Sequence, residues 1–229
     1  MNPQDSQIHF CAVVVSLMPD SLPQMHADRP GPGEELNRSG EAATPRPAAS
    51  VIVLRGGADA LEVLLVRRTP QARFMGGVWV FPGGAVDPGE DERSAALREL
   101  VEEAGITIAG PDDLVRFSRW ITPAEVKIRF DTHFFLAPAP AGAEPKIDGE
   151  EIVDSGWFAP AAALEAYGRG EVELVFPTIK HLEQLAMFGS SRELLEYAQG
   201  REVQPVEPKV VMSGETARVV LPGEPGYDE

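Results

Sequence analysis

Residues 84–106 read GAVDPGEDERSAALRELVEEAGI, and the second half of this stretch carries two patterns at once. Ala96, Leu97, Leu100, Val101 and Ala104 recur at spacings of three and four, which makes one apolar stripe on a helix over residues 92–104. At 100° per residue, Glu99, Glu102 and Glu103 fall at about 0°, 300° and 40°, so three carboxylates crowd one arc of a single turn. Like charges this close repel, and a bound cation is the natural resolution; cages of carboxylate oxygens suit hard divalent ions such as Mg2+. Asp91 is placed to cap the helix, Asp87-Pro88-Gly89 to turn into it and Gly105 to stop it. Before them, Phe81-Pro82-Gly83-Gly84 can take backbone angles closed to residues with a Cβ, which brings main-chain groups close to a ligand or metal.

The same stretch resembles the Nudix box of the Nudix hydrolases, G-x5-E-x7-R-E-U-x-E-E-x-G-U with U aliphatic. Gly84, Glu90, Arg98, Glu99, Leu100, Glu102, Glu103, Gly105 and Ile106 fill all nine fixed positions. A solvated acidic face is the plain reading of a lone Glu-x-x-Glu-Glu, and nine positions in register outweigh it. The resemblance implies an α/β fold, a Nudix-type α/β/α sandwich with a mixed β-sheet. It also implies a reaction, hydrolysis of a diphosphate linked to another group, with Mg2+ or Mn2+ as cofactor. On that basis Glu99, Glu102 and Glu103 are metal ligands, and Glu102 or Glu103 also helps to activate water. Arg98 pairs with Glu90 to hold the helix against the loop. A further carboxylate is expected from the acidic group Asp148, Glu150, Glu151 and Asp154, with Glu151 preferred and Glu150 next. Such chemistry suits a diphosphate, because divalent ions screen its charge, orient a water and lower that water's pKa.

Ahead of the box, Leu64-Leu65-Val66-Arg67-Arg68-Thr69, Arg73, Gly77 and Phe81-Pro82-Gly83-Gly84 resemble the coenzyme A diphosphatase signature L-L-T-x-x-S-x3-R-x3-G-x3-F-P-G-G. Val66 and Thr69 depart from it. Arg67, Arg73, Phe81, Gly83 and Gly84 are therefore expected at the substrate. Arg73 has a physical case of its own, since a guanidinium grips phosphate through two bonds and coenzyme A carries a 3′-phosphate besides its diphosphate. Trp120-Ile121-Thr122-Pro123, Arg129-Phe130-Asp131-Thr132 and Leu221-Pro222-Gly223 are similar to peroxisomal-type coenzyme A diphosphatases and their bacterial relatives. ADP-ribose, dinucleotides such as NADH, damaged nucleoside triphosphates, and a module that senses a nucleotide without cleaving it are the competing readings.

Outward from the box, strands are expected over residues 50–54, 61–67, 78–81, 114–121, 128–136 and 151–158. Helices are expected over 161–167, 179–187 and 192–197, and a hairpin over 209–212 and 217–221 about Ser213-Gly214-Glu215. The C-terminal helices and hairpin read as packing on the one domain, residues 49–229. Residues 1–48, rich in Pro, Gly and charge toward their end, read as a flexible tail.

The chain of 229 residues carries a net charge of −16, of which residues 148–229 hold −10. So acidic a chain is a poor binder of nucleic acid or of anionic membrane, which leaves a small nucleotide diphosphate as the expected partner and a homodimer open. A single cysteine, Cys11, rules out an internal disulfide and makes the cytoplasm the expected compartment. Residues 7–18 have an apolar middle, yet the run is too short for a membrane span and lacks the basic lead of a signal peptide. His9 and His26 read as solvated, and His133 as a sheet residue rather than a base.

Overall fold

The computed structural model describes residues 36–37, 40–72, 75–213 and 216–228; Cys11, His9, His26 and Arg73 lie outside the described residues. The elements in order are β1 (Arg46–Arg55), β2 (Glu62–Arg68), β3 (Trp79–Val80), β4 (Gly83–Ala85), α1 (Glu92–Ala104), β5 (Val115–Ile121), β6 (Phe130–Pro138) and β7 (Ile152–Phe158). There follow α2 (Pro160–Gly168), α3 (Phe176–Leu185), α4 (Ser191–Ala198), β8 (Pro205–Val206), β9 (Lys209–Ser213) and β10 (Thr216–Val220).

Strand β1 is the axis of an eight-stranded mixed sheet. One edge runs parallel to β6, from Arg46 opposite Phe130 to Leu54 opposite Pro138. The other edge is shared: Ala48, Ala49 and Ser50 pair with β4, and Leu54 and Arg55 pair with β2. Strand β2 carries β3 and β7, β6 carries β5, and β5 meets β8 in parallel, while β9 and β10 form a separate hairpin.

Helix α1 covers one face, where Ala95, Ala96, Leu100 and Ala104 pack on Ala49, Val51, Val53, Leu64, Val66 and Phe135. The opposite face packs Ile52, Leu54, Val63, Leu65, Phe134 and Leu136 against Ala163 of α2, Leu182 and Leu185 of α3, and Leu194 and Ala198 of α4. Strands β1 and β2 are thus buried on both sides, which is why they read as unbroken apolar runs rather than alternating ones. The layers are helix, mixed sheet, helices.

Two short strands, β4 and β8, escape sequence reading because three and two residues carry no period. The first strand also starts at Arg46, inside the stretch read as a tail. The Arg46 guanidinium lies over the Phe130 ring at 4.9 Å, and the Pro47 carbonyl accepts from Val86 N–H at 3.0 Å. Farther upstream, Asn37 N–H donates to the Glu125 carbonyl. Buried Arg129 gathers three segments, donating to the carbonyls of Thr122 and Ala43 and to the Glu207 carboxylate. Asn37 and residues 43–47 are therefore tied to the body of the fold.

His181 of α3 is fully buried in the second core, ringed by Phe81, Phe117, Trp120 and Phe134 with centroids 4.3–5.9 Å away. Its Nε2 is hydrogen-bonded to the Ser118 hydroxyl at 2.6 Å, and its Nδ1 is buried without a partner in hydrogen-bonding geometry among the described residues. Burial pulls its pKa down to about 3, with the Pro177 carbonyl pulling the other way. The unfolded chain binds this proton near pH 6.5 while the folded one does not, so the contribution is intact above that pH and is lost as pH falls toward 3. The slope is at most about 1.4 kcal/mol per pH unit. Thermal melts of His181→Gln should therefore lie below wild type at pH 7 and converge on it by about pH 5; two melting curves that shift in parallel with pH would contradict a buried neutral imidazole.

Candidate active site

Strand β4 and helix α1 make the site between them. Ser50 Oγ donates to the Pro82 carbonyl at 2.8 Å and Val51 N–H to the same oxygen at 2.9 Å, which seats the Pro-Gly-Gly turn on β1. A Cβ on Gly83 would lie 2.4 Å from the Ala49 carbonyl oxygen, and one on Gly84 would lie 2.3 Å from Oε1 of Glu99. At Gly83 the clash is with fixed backbone, so only glycine fits there; at Gly84 it is with the movable end of Glu99, so a side chain there would displace that carboxylate. Asp91 caps α1 by accepting from Ser94 N–H at 2.7 Å, and Gly105 ends it at φ 62° with its N–H on the Val101 carbonyl.

Arg98 is the hub of the acidic turn. Its Nε and Nη2 grip the two oxygens of Glu90 at 3.2 and 3.0 Å, and Nη2 also reaches the Ala85 carbonyl at 3.0 Å. Its Nη1 donates to Glu99 at 2.8 Å and to Glu102 at 3.1 Å. These contacts raise the guanidinium's pKa further and hold Glu90 below its ordinary value. The crowding of like charges that the sequence assigns to a metal is thus met, for Glu99 and Glu102, by a neighbouring arginine.

Glu103 is in a different position. Its side chain is buried, the residue 5% exposed, and Oε2 accepts from Gly83 N–H at 2.8 Å. Burial pushes its carboxyl up to about 8 in spite of that hydrogen bond; the charges of Glu99 and Glu151 push the same way and Arg68 opposes them. Burial likewise raises Glu99, with Arg98 opposing and Glu102 and Glu151 adding to the rise. Glu151, just before β7, adjoins Ile152, which is buried in the same core as Leu100 and Ala104 of the box helix.

Among the described residues no three Asp, Glu, His or Cys side chains already converge as a metal cage. The donor set nevertheless fits a hard divalent cation: oxygen ligands throughout, a buried carboxyl that forms no ion pair among the described residues, and a glycine that leaves the carboxylate room.

Other expected residues fall elsewhere. Phe81 is 3% exposed and packs edge-on to His181, so it is part of the core and presents no surface to a substrate. Arg67 alternates with Val63 and Leu65 onto the sheet face away from α1, where its Nε donates to the Gly77 carbonyl at 3.3 Å. It braces a loop. Its neighbour Arg68 takes the α1 side and pairs with Glu151 at 3.2 Å, and the period-2 alternation of β2 is the signal that singles it out. Gly83 and Gly84 act on the carboxylates, one as donor and one by making room. His133 bonds through Nδ1 with Arg116 at 3.4 Å and stacks on Phe135, as a sheet residue.

The family model described as NUDIX domain matches residues 44–177, more than half of the chain. Nudix hydrolase 7 of Caenorhabditis elegans is 29% identical over 183 residues, 62% of this chain and 60% of that one. The human NAD-capped RNA hydrolase NUDT12 is 30% identical over 141 residues, 62% of this chain and 28% of that one. The human acyl-coenzyme A diphosphatase NUDT19 is 30% identical over 121 residues, 51% of this chain and 32% of that one. These matches span less than two thirds of each relative. Among solved structures, a NUDIX hydrolase from Alicyclobacillus acidocaldarius superposes with TM-score 0.60 at 29% identity, over 67% of this chain and 96% of that one.

The raised carboxyl of Glu103 has a consequence for stability. Between about pH 4.5 and 8 the unfolded chain has released this proton and the folded one holds it, so stability is greatest at the acid end of that window and falls as pH rises through it. Glu103→Gln keeps an acceptor for Gly83 N–H and removes the ionisation. In chelator at pH 8 it should be more stable than wild type by up to about 4 kcal/mol, and the advantage should vanish near pH 4.5. A variant that melts lower at both pH values would show that the carboxyl stabilises the fold.

Proposed function

The chain belongs to the Nudix hydrolase family, and from that membership we propose that it is a divalent-metal-dependent hydrolase that cleaves the diphosphate of coenzyme A or an acyl-CoA, releasing 3′,5′-ADP and the phosphopantetheine half. The observation that carries the hydrolytic reading is the buried Glu103 carboxyl hung on Gly83 N–H beside Glu99. A sensing module has no need of an acid in so unfavourable a place. Glu99, Glu102 and Glu103 would hold Mg2+ or Mn2+, which when bound screens the diphosphate and lowers the pKa of the attacking water.

The chain's own residues divide the remaining work. Arg98, committed to Glu90 and the Ala85 carbonyl, fixes Glu99 and Glu102 relative to β4 and has no need to reach substrate. Glu102, with 58% of its side chain exposed, and Glu103, with almost none, offer one accessible and one sheltered carboxylate for accepting the water's proton. Similarity to the human acyl-coenzyme A diphosphatase and the signature in residues 64–84 support coenzyme A. The longer match to the human NAD-capped RNA hydrolase supports a second reading, a dinucleotide such as NADH as substrate.

A panel of coenzyme A, acetyl-CoA, ADP-ribose and NADH with Mg2+ or Mn2+, products identified by mass spectrometry, separates these. Coenzyme A or its thioester should be cleaved fastest, and Glu102→Gln should lower kcat/KM by about a hundredfold or more. A preference for NADH or ADP-ribose would remove the coenzyme A reading and leave the hydrolase; no product from any member would remove both.

A further inference from the structure

Arg68 is the last residue of β2, and its backbone is fixed on both sides: its N–H donates to the Val78 carbonyl at 3.0 Å, and its carbonyl accepts from Gly77 N–H at 3.1 Å. Opposite it, the backbone about Glu151 is equally constrained. Asp148 accepts from the N–H groups of Glu150, Glu151 and Ile152 at 3.0, 3.3 and 3.0 Å, and the Glu151 carbonyl accepts from Thr69 N–H at 2.7 Å. Two rigid backbones therefore face each other, and Nη2 of Arg68 meets Oε1 of Glu151 at 3.2 Å.

Stability does not account for this pair. The Glu151 side chain is 58% exposed, and an ion pair so open to water adds little to folding. Meanwhile, among the described residues, Arg68 Nε is buried without an acceptor, a standing cost that an arginine free to turn toward water would avoid. The side chain keeps a posture that is poor for itself and useful to its partner. Arg68 alternates with Leu64 and Val66 onto the α1 side of β2, and Ile152, next to Glu151, is buried in the same core as Leu100 and Ala104, so the pair lies on the side of the sheet that carries the acidic turn.

We propose that Arg68 is a positioning residue for the hydrolysis, holding the Glu151 carboxylate against the Glu99–Glu103 turn so that the carboxylate set is complete when the diphosphate arrives. Arg68 acts through Glu151. The inference rests on the hydrolase reading above and adds to it a residue and a division of labour.

A double-mutant cycle on the full chain tests it, with coenzyme A as substrate, or ADP-ribose if the panel prefers it, at saturating Mg2+. Arg68→Gln should lower kcat about tenfold with KM changed less than about twofold, Glu151→Gln should lower kcat at least as much, and the double variant should be no slower than Glu151→Gln alone. Arg68→Lys, which keeps the charge, should recover part of the loss, and it carries the cycle if Arg68→Gln fails to fold by its melting curve. Effects that multiply, a rise in KM with kcat intact, or a Glu151→Gln variant as fast as wild type would each overturn the proposal while the enzyme remains active. A wild-type chain that cleaves nothing sinks the hydrolase reading, and the positioning role with it.

Discussion

The site depends on how little space separates β1 from the first acidic residue of the acidic turn. Any side chain at position 83 would run into Ala49 and Ser50, and any at position 84 into the Glu99 carboxylate. A side chain is shut out at 83 by backbone, and one at 84 would push the Glu99 carboxylate from its place. The Gly83 N–H can then reach Glu103, whose carboxyl would otherwise lose its backbone donor, and the Ala85 carbonyl can reach Arg98. Both sides of the acidic turn are thus anchored to one three-residue strand, and that strand is held by the seat of the Pro82 carbonyl on Ser50 and Val51.

Charge is distributed over this frame by burial rather than by sequence spacing alone. Glu90, Glu99, Glu102 and Glu103 belong to one motif, yet Arg98 lowers the first and shares a nitrogen between the next two, while the last has a backbone donor. One arginine pairs with three carboxylates and does not reach the fourth. That asymmetry makes the fourth the natural place for a further positive charge.

The box helix, with its caps and its buried face, is legible in the sequence because α1 carries a regular apolar spacing and unambiguous end signals in Asp91 and Gly105. The central strands are legible as apolar runs. Strand β4 is not, since Gly83–Ala85 owes its strand character to pairing with β1 and has no preference of its own. Arg46-Pro47 reads as tail for the same reason: the pairing with β6 and the ring of Phe130 make it strand, and both lie far along the chain. Phe81 is misplaced by its motif because a motif gives order along the chain without saying which side of the sheet each member faces. Alternation along β2 does say so, and it separates Arg67 from Arg68.

The second core has a bearing on what the smallest working unit of this protein can be. Thr178, His181, Leu182, Leu185, Leu194 and Ala198 all lie past residue 177, where the family match ends, and all are buried. The aromatic ring about His181 includes Phe81, which leads directly into Pro82 and Gly83. A family boundary drawn from shared sequence therefore cuts through the core on the far face of the sheet, which reaches the glycine turn through Phe81. Grafting the C-terminal segment of another family member onto this chain would alter more than a peripheral ornament, because the helices past that boundary bury the face of β1 and β2 that α1 leaves uncovered.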